Sequence, residues 1–177
     1  MRYRSVLVVL ALIGVLAPSG PARAGDEVHC VNTHDVAISP GVSLQGSAGS
    51  IDVTPVPTME CDGPVDGRMP TGAGWYGEET GRYGTEDPDS CQAGGEGDGV
   101  FFATIPTSEG DLELRAPYNY TFGDMTTNPG YVSGEFRGDG VRGVFKLVPV
   151  EGDCVSSPIT RVRVNAEFWF APSFFRR

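Results

Sequence analysis

The chain has 177 residues, 23 acidic against 13 basic side chains, and a formal net charge of −10. Residues 1–24 hold three of the arginines and no acid, so the remaining 153 residues, one ordinary domain by length, carry a net charge of −13. A surface of that sign repels phosphate backbones and anionic lipid headgroups, which argues against nucleic acid as a partner.

The N-terminus reads as an export signal. Arg2 and Arg4 precede an apolar run over residues 6–16, and Pro18, Ser19, Gly20 and Pro21 break any helix. Ala22-Arg23-Ala24 then supplies the small-x-small pattern of a signal-peptidase site. The run is shorter than the ~20 residues a bilayer span needs, and no later stretch could span one. Cleavage is expected before Gly25, leaving residues 25–177 as a single extracellular or cell-envelope domain.

Beyond the signal, abundant Gly and Pro point to a loop-rich β-protein. Residues 28–31, 36–38, 51–53 and 74–76 are candidate strands. Residues 62–99, rich in Gly and acids, have little hydrophobic patterning and are expected to form long surface loops. Short strands follow over 100–105, 112–114 and 118–122, broken by Pro106 with Gly110 and by Pro117. Residues 131–136 and 141–150 are further strands, joined at Gly138-Asp139-Gly140, which tolerates the positive φ of a hairpin turn. From Ile159 to Phe170 apolar and polar residues alternate strictly, the mark of a strand with one face on a core. Eight or more such strands predict an all-β fold, an antiparallel sandwich or barrel.

Cys30, Cys61, Cys91 and Cys154 all follow the signal, and no C-x-x-C pair suggests zinc. An even number in an oxidising compartment implies two disulfides. Three pairings are possible, of which Cys30–Cys61 with Cys91–Cys154 is preferred.

No catalytic constellation stands out. Only His29 and His34 could serve as a histidine base, and no G-x-S-x-G elbow is present. Their spacing of five puts the two rings on opposite faces of a strand, wrong for joint chelation even with Asp26 and Asp35 nearby, and they read as solvated histidines near the mature N-terminus. Glu113, Glu135 and Glu167 sit on predicted strands, where a glycosidase would place its acids, but also where solubility alone would place them.

Acids surround two of the cysteines: Glu86, Asp87, Asp89, Glu96 and Asp98 near Cys91, Glu151 and Asp153 beside Cys154. Oxygen-rich loops suit calcium, with Asp87, Asp89, Glu96, Asp98 and Asp153 as candidate ligands, against the plainer reading of a solvated acidic rim. Residues 94–99, GGEGDG, only resemble a calcium-repeat nonapeptide. No other cofactor is implied. Trp75, Tyr76 and Tyr83 in the expected loop, with Trp169 on the polar parity of the last strand, are candidate rings for stacking on a sugar. Phe174 and Phe175, before Arg176 and Arg177, make an apolar and basic tip that could dock, fray or bind a partner. Arg137-Gly138-Asp139 is read as a coincidental tripeptide in a turn, and Asn119-Tyr120-Thr121 matches a glycosylation acceptor.

The stretch from Gly143 to Cys154 followed by Pro158-Ile159-Thr160, and more loosely Asp89-Ser90-Cys91, Gly97-Asp98-Gly99 and Thr104-Ile105-Pro106-Thr107, resembles a pattern in secreted actinobacterial β-domain proteins. The resemblance implies an exported bacterial β-domain and carries no catalytic residue. The expectation is a non-catalytic protein acting by binding or as a structural component, with an extracellular protein or a glycan as partner. A carbohydrate-binding module, a secreted hydrolase and a secreted enzyme inhibitor are the alternatives.

Overall fold

The computed structural model describes residues 27–126, 130–171 and 174–175. The expected export signal, Asp26, Arg176 and Arg177 lie outside the described residues. Nine strands follow one another: β1 (Val28–Val42), β2 (Gly49–Val53), β3 (Val56–Asp62), β4 (Gly74–Tyr83), β5 (Gly95–Ile105), β6 (Leu112–Phe122), β7 (Val132–Gly138), β8 (Val141–Glu151) and β9 (Ile159–Phe170).

From β3 to β9 each strand pairs antiparallel with the next. β1 then pairs antiparallel with β9, from Val28↔Phe170 to Ala37↔Arg161, so the sheet closes on itself. β2 and β3 share the other edge of β1, at Val36↔Val53 and Cys30↔Cys61, and both pair with β4. Together they form one wall, interrupted at Thr54-Pro55. The result is a closed, eight-walled antiparallel barrel, a size whose interior is filled by side chains or holds one small ligand.

Period-two alternation assigns the faces. On β9 Val162, Val164, Ala166, Phe168 and Phe170 are buried, while Arg161, Arg163, Asn165 and Glu167 are exposed. The outer face carries ion pairs such as Arg163–Asp35 (2.8 Å), Arg142–Glu27 (2.6 Å) and Arg82–Asp98 (2.7 Å). A lipid-facing barrel would need an apolar band there. Inside, Tyr76, Phe101, Tyr118, Phe136 and Phe168 form a continuous set of ring contacts, the shortest being Phe136–Phe168 at 4.8 Å between centroids.

Three sequence expectations are corrected. Residues 62–99 are not mainly long surface loops, because they contain all of β4 and the start of β5. Pro117 does not divide two strands. β7 pairs with β6 only from Tyr118 onward, so Pro117 lies where β6 has no neighbour on that side and its missing N–H breaks no ladder bond. His34 is not solvated: it is buried on the inner face of β1, while His29 faces outward.

Both barrel ends are covered. At one, Phe174 packs on Phe170 (5.2 Å) and Phe101 (6.5 Å), and Phe175 packs on Phe170, so the aromatic pair docks on the domain. At the other, the β4–β5 loop is bonded to the β1–β2 loop through Asp89 and Ser47, whose backbones exchange two 2.8 Å bonds. Cys91–Cys154 ties that same loop to the β8–β9 connection, and Cys30–Cys61 cross-links directly paired positions of β1 and β3.

The bridges restrict the unfolded chain over separations of 31 and 63 residues, which in the chain-entropy account contributes about 4 kcal/mol each. Replacing Cys91 and Cys154 together by serine is expected to lower the unfolding free energy by about that amount in guanidinium titrations. An unchanged midpoint would show that the loop stays pinned without its bridge.

Candidate ligand site inside the barrel

The barrel interior is polar on the walls where β4, β5 and β6 meet. Between Glu78↔Phe101 and Thr80↔Val100 the β4–β5 register shifts by one residue, a bulge at Glu79. Before it, Tyr76 and Glu78 point inward; after it, Gly81 and Tyr83 do. The bulge therefore places a carboxylate inside without turning Arg82 inward with it.

β5 makes room for that carboxylate. Its inner face reads Gly95, Gly97, Gly99, Phe101, Ala103 and Ile105. The three glycines leave gaps that neighbouring polar groups fill. A Cβ on Gly95 would collide with the Asp89 carboxylate, one on Gly97 with the Tyr120 hydroxyl, and one on Gly99 would meet Glu78 Oε2 at 2.9 Å. Asp89, Tyr120 and Glu78 thus stand in a row along β5.

Each acid is half satisfied. Glu78 Oε1 accepts hydrogen bonds from the Tyr118 hydroxyl (2.6 Å) and the Tyr76 hydroxyl (2.9 Å). Glu78 Oε2 is inaccessible to solvent and has no hydrogen-bond partner. Asp89, 1% exposed, accepts the Glu96 amide at Oδ1 (3.0 Å), whereas its Oδ2 is sealed and unpartnered. The nearby Gly84 amide is spent on the Glu96 carbonyl (2.9 Å). Tyr83 and Tyr120 turn their hydroxyls to backbone carbonyls of Gly41 and Arg82.

Burial dominates the protonation of Glu78, Asp89, His34, Tyr76 and Tyr118. It raises the Glu78 carboxyl to about 7, the two tyrosine hydroxyls offsetting part of the effect. It raises Asp89 to about 6 against the pull of the Glu96 and Gly84 amides. Burial also lowers His34 to about 4, despite Asp35 beside it, so the ring is neutral at pH 7. Asn32 Nδ2 donates to His34 Nδ1 (3.1 Å), and the His34 ring lies 4.7 Å from that of Tyr76. Tyr76 and Tyr118 are held well above the ordinary phenol range, Tyr76 by burial and then by Glu78, Tyr118 by burial and then by Tyr76 and Glu78.

A cavity of about 90 Å³ runs through this region. Its walls are mostly aromatic and aliphatic, with Glu78, Asp89, His34 and four tyrosines as polar groups, and no lysine or arginine lines it.

The sequence-expected site residues are dispersed. Trp75 is 48% exposed on the outer face, while its neighbour Tyr76 and Tyr83 are buried inside, so these rings form no surface platform. Trp169 lies outside, beneath the Arg142 guanidinium (4.9 Å) and beside His29 (5.2 Å). Glu113, Glu135 and Glu167 all face outward. Of the calcium candidates, Asp98 pairs with Arg82 and Asp89 is sealed inside. Glu96 accepts the Glu86 amide (2.9 Å), and Asp87 is exposed. Asp153 caps a turn, and the Ser156 hydroxyl, followed by the Ser156, Ser157 and Val155 amides, lowers it to about 2. Among the described residues no three His, Cys, Asp or Glu side chains gather to hold a metal. The chain matches no known protein family, no curated protein and no solved structure.

Glu78 gives the site a pH signature. Its folded pKa is raised above the unfolded value, so the folded state binds the extra proton between about 4.5 and 7. Its contribution is full below pH 4.5 and is lost as pH rises through 7. Asp89 acts in the same direction between about 3.8 and 6, and His34 in the opposite direction between about 4 and 6.5. The Glu78→Gln difference isolates one group. Relative to the wild type, that variant should gain about 2–3 kcal/mol between pH 4.5 and 7.5 in chemical denaturation. A difference that does not change with pH would contradict the burial of Glu78.

Proposed function

We propose that this is an exported, non-catalytic binding protein whose ligand is a small organic molecule held inside the barrel. The supporting observation is the ring-walled cavity of about 90 Å³ whose lining includes Glu78 and Asp89, each with one carboxyl oxygen that has no partner. Buried polar atoms are otherwise almost always paired. Leaving two unpaired on the residues that line one cavity costs stability, which a bound ligand offering donor groups to those residues recovers. Export is supported by the N-terminal signal pattern and by two disulfides, which persist in oxidising compartments.

Binding is favoured over turnover by the placement of the acids. They sit over Gly95 and Gly99, four residues apart on β5, which is roughly 13 Å of strand. Carboxyl pairs that cleave a glycosidic bond stand about 5–9.5 Å apart. One observation favours a catalytic reading: a carboxyl near pKa 7 in a closed cavity suits proton transfer at neutral pH.

The test is ligand-observed NMR on the mature protein with fragments no larger than benzene, drawn from amines, alcohols, acids and hydrocarbons. At least one class should bind at a single site and lose that binding when Ala166→Leu or Val164→Leu fills the cavity. No binding by any class, or binding unaffected by both filling variants, would overturn the proposal.

A further inference from the structure

The outer wall of the barrel carries a feature that the interior does not explain. The bulge that turns Glu78 inward leaves both Glu79 and Thr80 exposed outside. Glu79 reaches over β5 to Arg115 of β6, whose Nε donates to its carboxylate (2.7 Å). Arg115 and Glu79 remain 64% and 50% exposed, open to further partners. Beside this ion pair the sheet is apolar. Gly77, on the outer parity of β4, stands opposite Phe102 of β5. A Cβ on Gly77 would meet Phe102 Cζ at 2.5 Å and Pro55 Cγ at 3.0 Å. The missing side chain lets the Phe102 ring lie across β4 toward Pro55. Trp75, two residues before Gly77 on the same face, is 48% exposed. We propose that this face is a second binding site, for a neutral pyranose glycan. The apolar side of a sugar ring rests on Trp75 and Phe102, and its hydroxyls bond Arg115 and Glu79. The site stands independently of the interior one.

Size, charge and chemistry select that occupant. From Pro55 to Phe102 is two strand spacings, about 10 Å, and from Trp75 to Gly77 about 7 Å. A stable protein interface covers about 800 Å² on each partner, far more than this footprint. The core of such an interface is also depleted of charge, whereas here an ion pair borders the rings. The net charge of −13 over residues 25–177 repels a second copy and any acidic ligand. An uncharged sugar meets no such repulsion. Its C–H face suits aromatic rings, and its hydroxyls suit guanidinium donors and carboxylate acceptors placed side by side. Trp169, the other outward tryptophan, lacks this arrangement, because Arg142 covers its ring and His29 flanks it.

The experiment titrates cellotetraose, chitotetraose, tetragalacturonate and a proline-rich peptide into the mature protein. Calorimetry measures affinity, and tryptophan emission is followed in Trp169→Phe, where Trp75 is the sole tryptophan. At least one neutral tetrasaccharide should bind saturably and shift the Trp75 emission, with tetragalacturonate at least tenfold weaker. Trp75→Ala should weaken the neutral sugar at least tenfold and Arg115→Ala at least threefold. Trp169→Phe and the cavity-filling Ala166→Leu should each leave its affinity within twofold. Binding of neither neutral sugar, or binding that survives Trp75→Ala, would overturn the proposal. So would tetragalacturonate matching the neutral sugars, or the peptide binding at Trp75 more tightly than they do. Loss of sugar binding in Ala166→Leu would place the sugar inside the barrel and overturn it as well. If Trp75→Ala does not fold, the Trp75 emission shift and the Arg115→Ala affinity decide together.

Discussion

The pairing of β1 with β9 is the constraint on which the molecule depends. Without it the strands form an open meander with two unpaired edges, and neither face is an interior. With it, alternation sorts every wall residue inward or outward, and the barrel encloses what the inner parity supplies. That parity supplies rings from β4, β5, β6, β7 and β9, three glycines from β5, and a carboxylate, a histidine and tyrosines that an ordinary core would not contain.

Closure also determines how the acids behave. Glu78 and Asp89 would be ordinary surface carboxylates on an open sheet. Inside, desolvation raises both, and each is fixed through one oxygen while the other is left unpaired. The ends preserve this condition. Phe174 and Phe175 cover one, and the Cys91-bearing loop, tied to Cys154, covers the other and carries Asp89 with it. The bridge thus belongs to the site as well as to the stability of the chain.

The parts of the fold that sequence reveals are those with an apolar inner parity and no irregularity. β9 from Ile159 to Phe170 is legible residue by residue, and β8 and the hairpin at Gly138-Asp139-Gly140 nearly so. The site is the opposite case. On β5 the inner residues before Phe101 are glycines, which leave no apolar signal, so GGEGDG looks like a loop. On β4 the bulge at Glu79 shifts parity midway and hides the alternation of Tyr76 and Glu78 with Gly81 and Tyr83. Trp75 and Tyr76 read as one aromatic cluster, yet adjacent strand residues face opposite sides. The features that build a polar cavity are the same ones that erase the pattern of a strand. The one available cue was a glycine at every second position from 95 to 99 leading directly into a clear strand.

The central claim is that two carboxyls are withdrawn from water inside a closed barrel, Asp89 almost wholly and Glu78 through its inaccessible Oε2. Carbon-detected NMR of the side-chain carboxyls, titrated from pH 3 to 9, tests it most directly. One glutamate should titrate near 7 and one aspartate near 6, with the glutamate signal missing in Glu78→Gln. Every carboxyl titrating in the ordinary range below 5 would mean that water reaches both groups and that the interior described here does not exist.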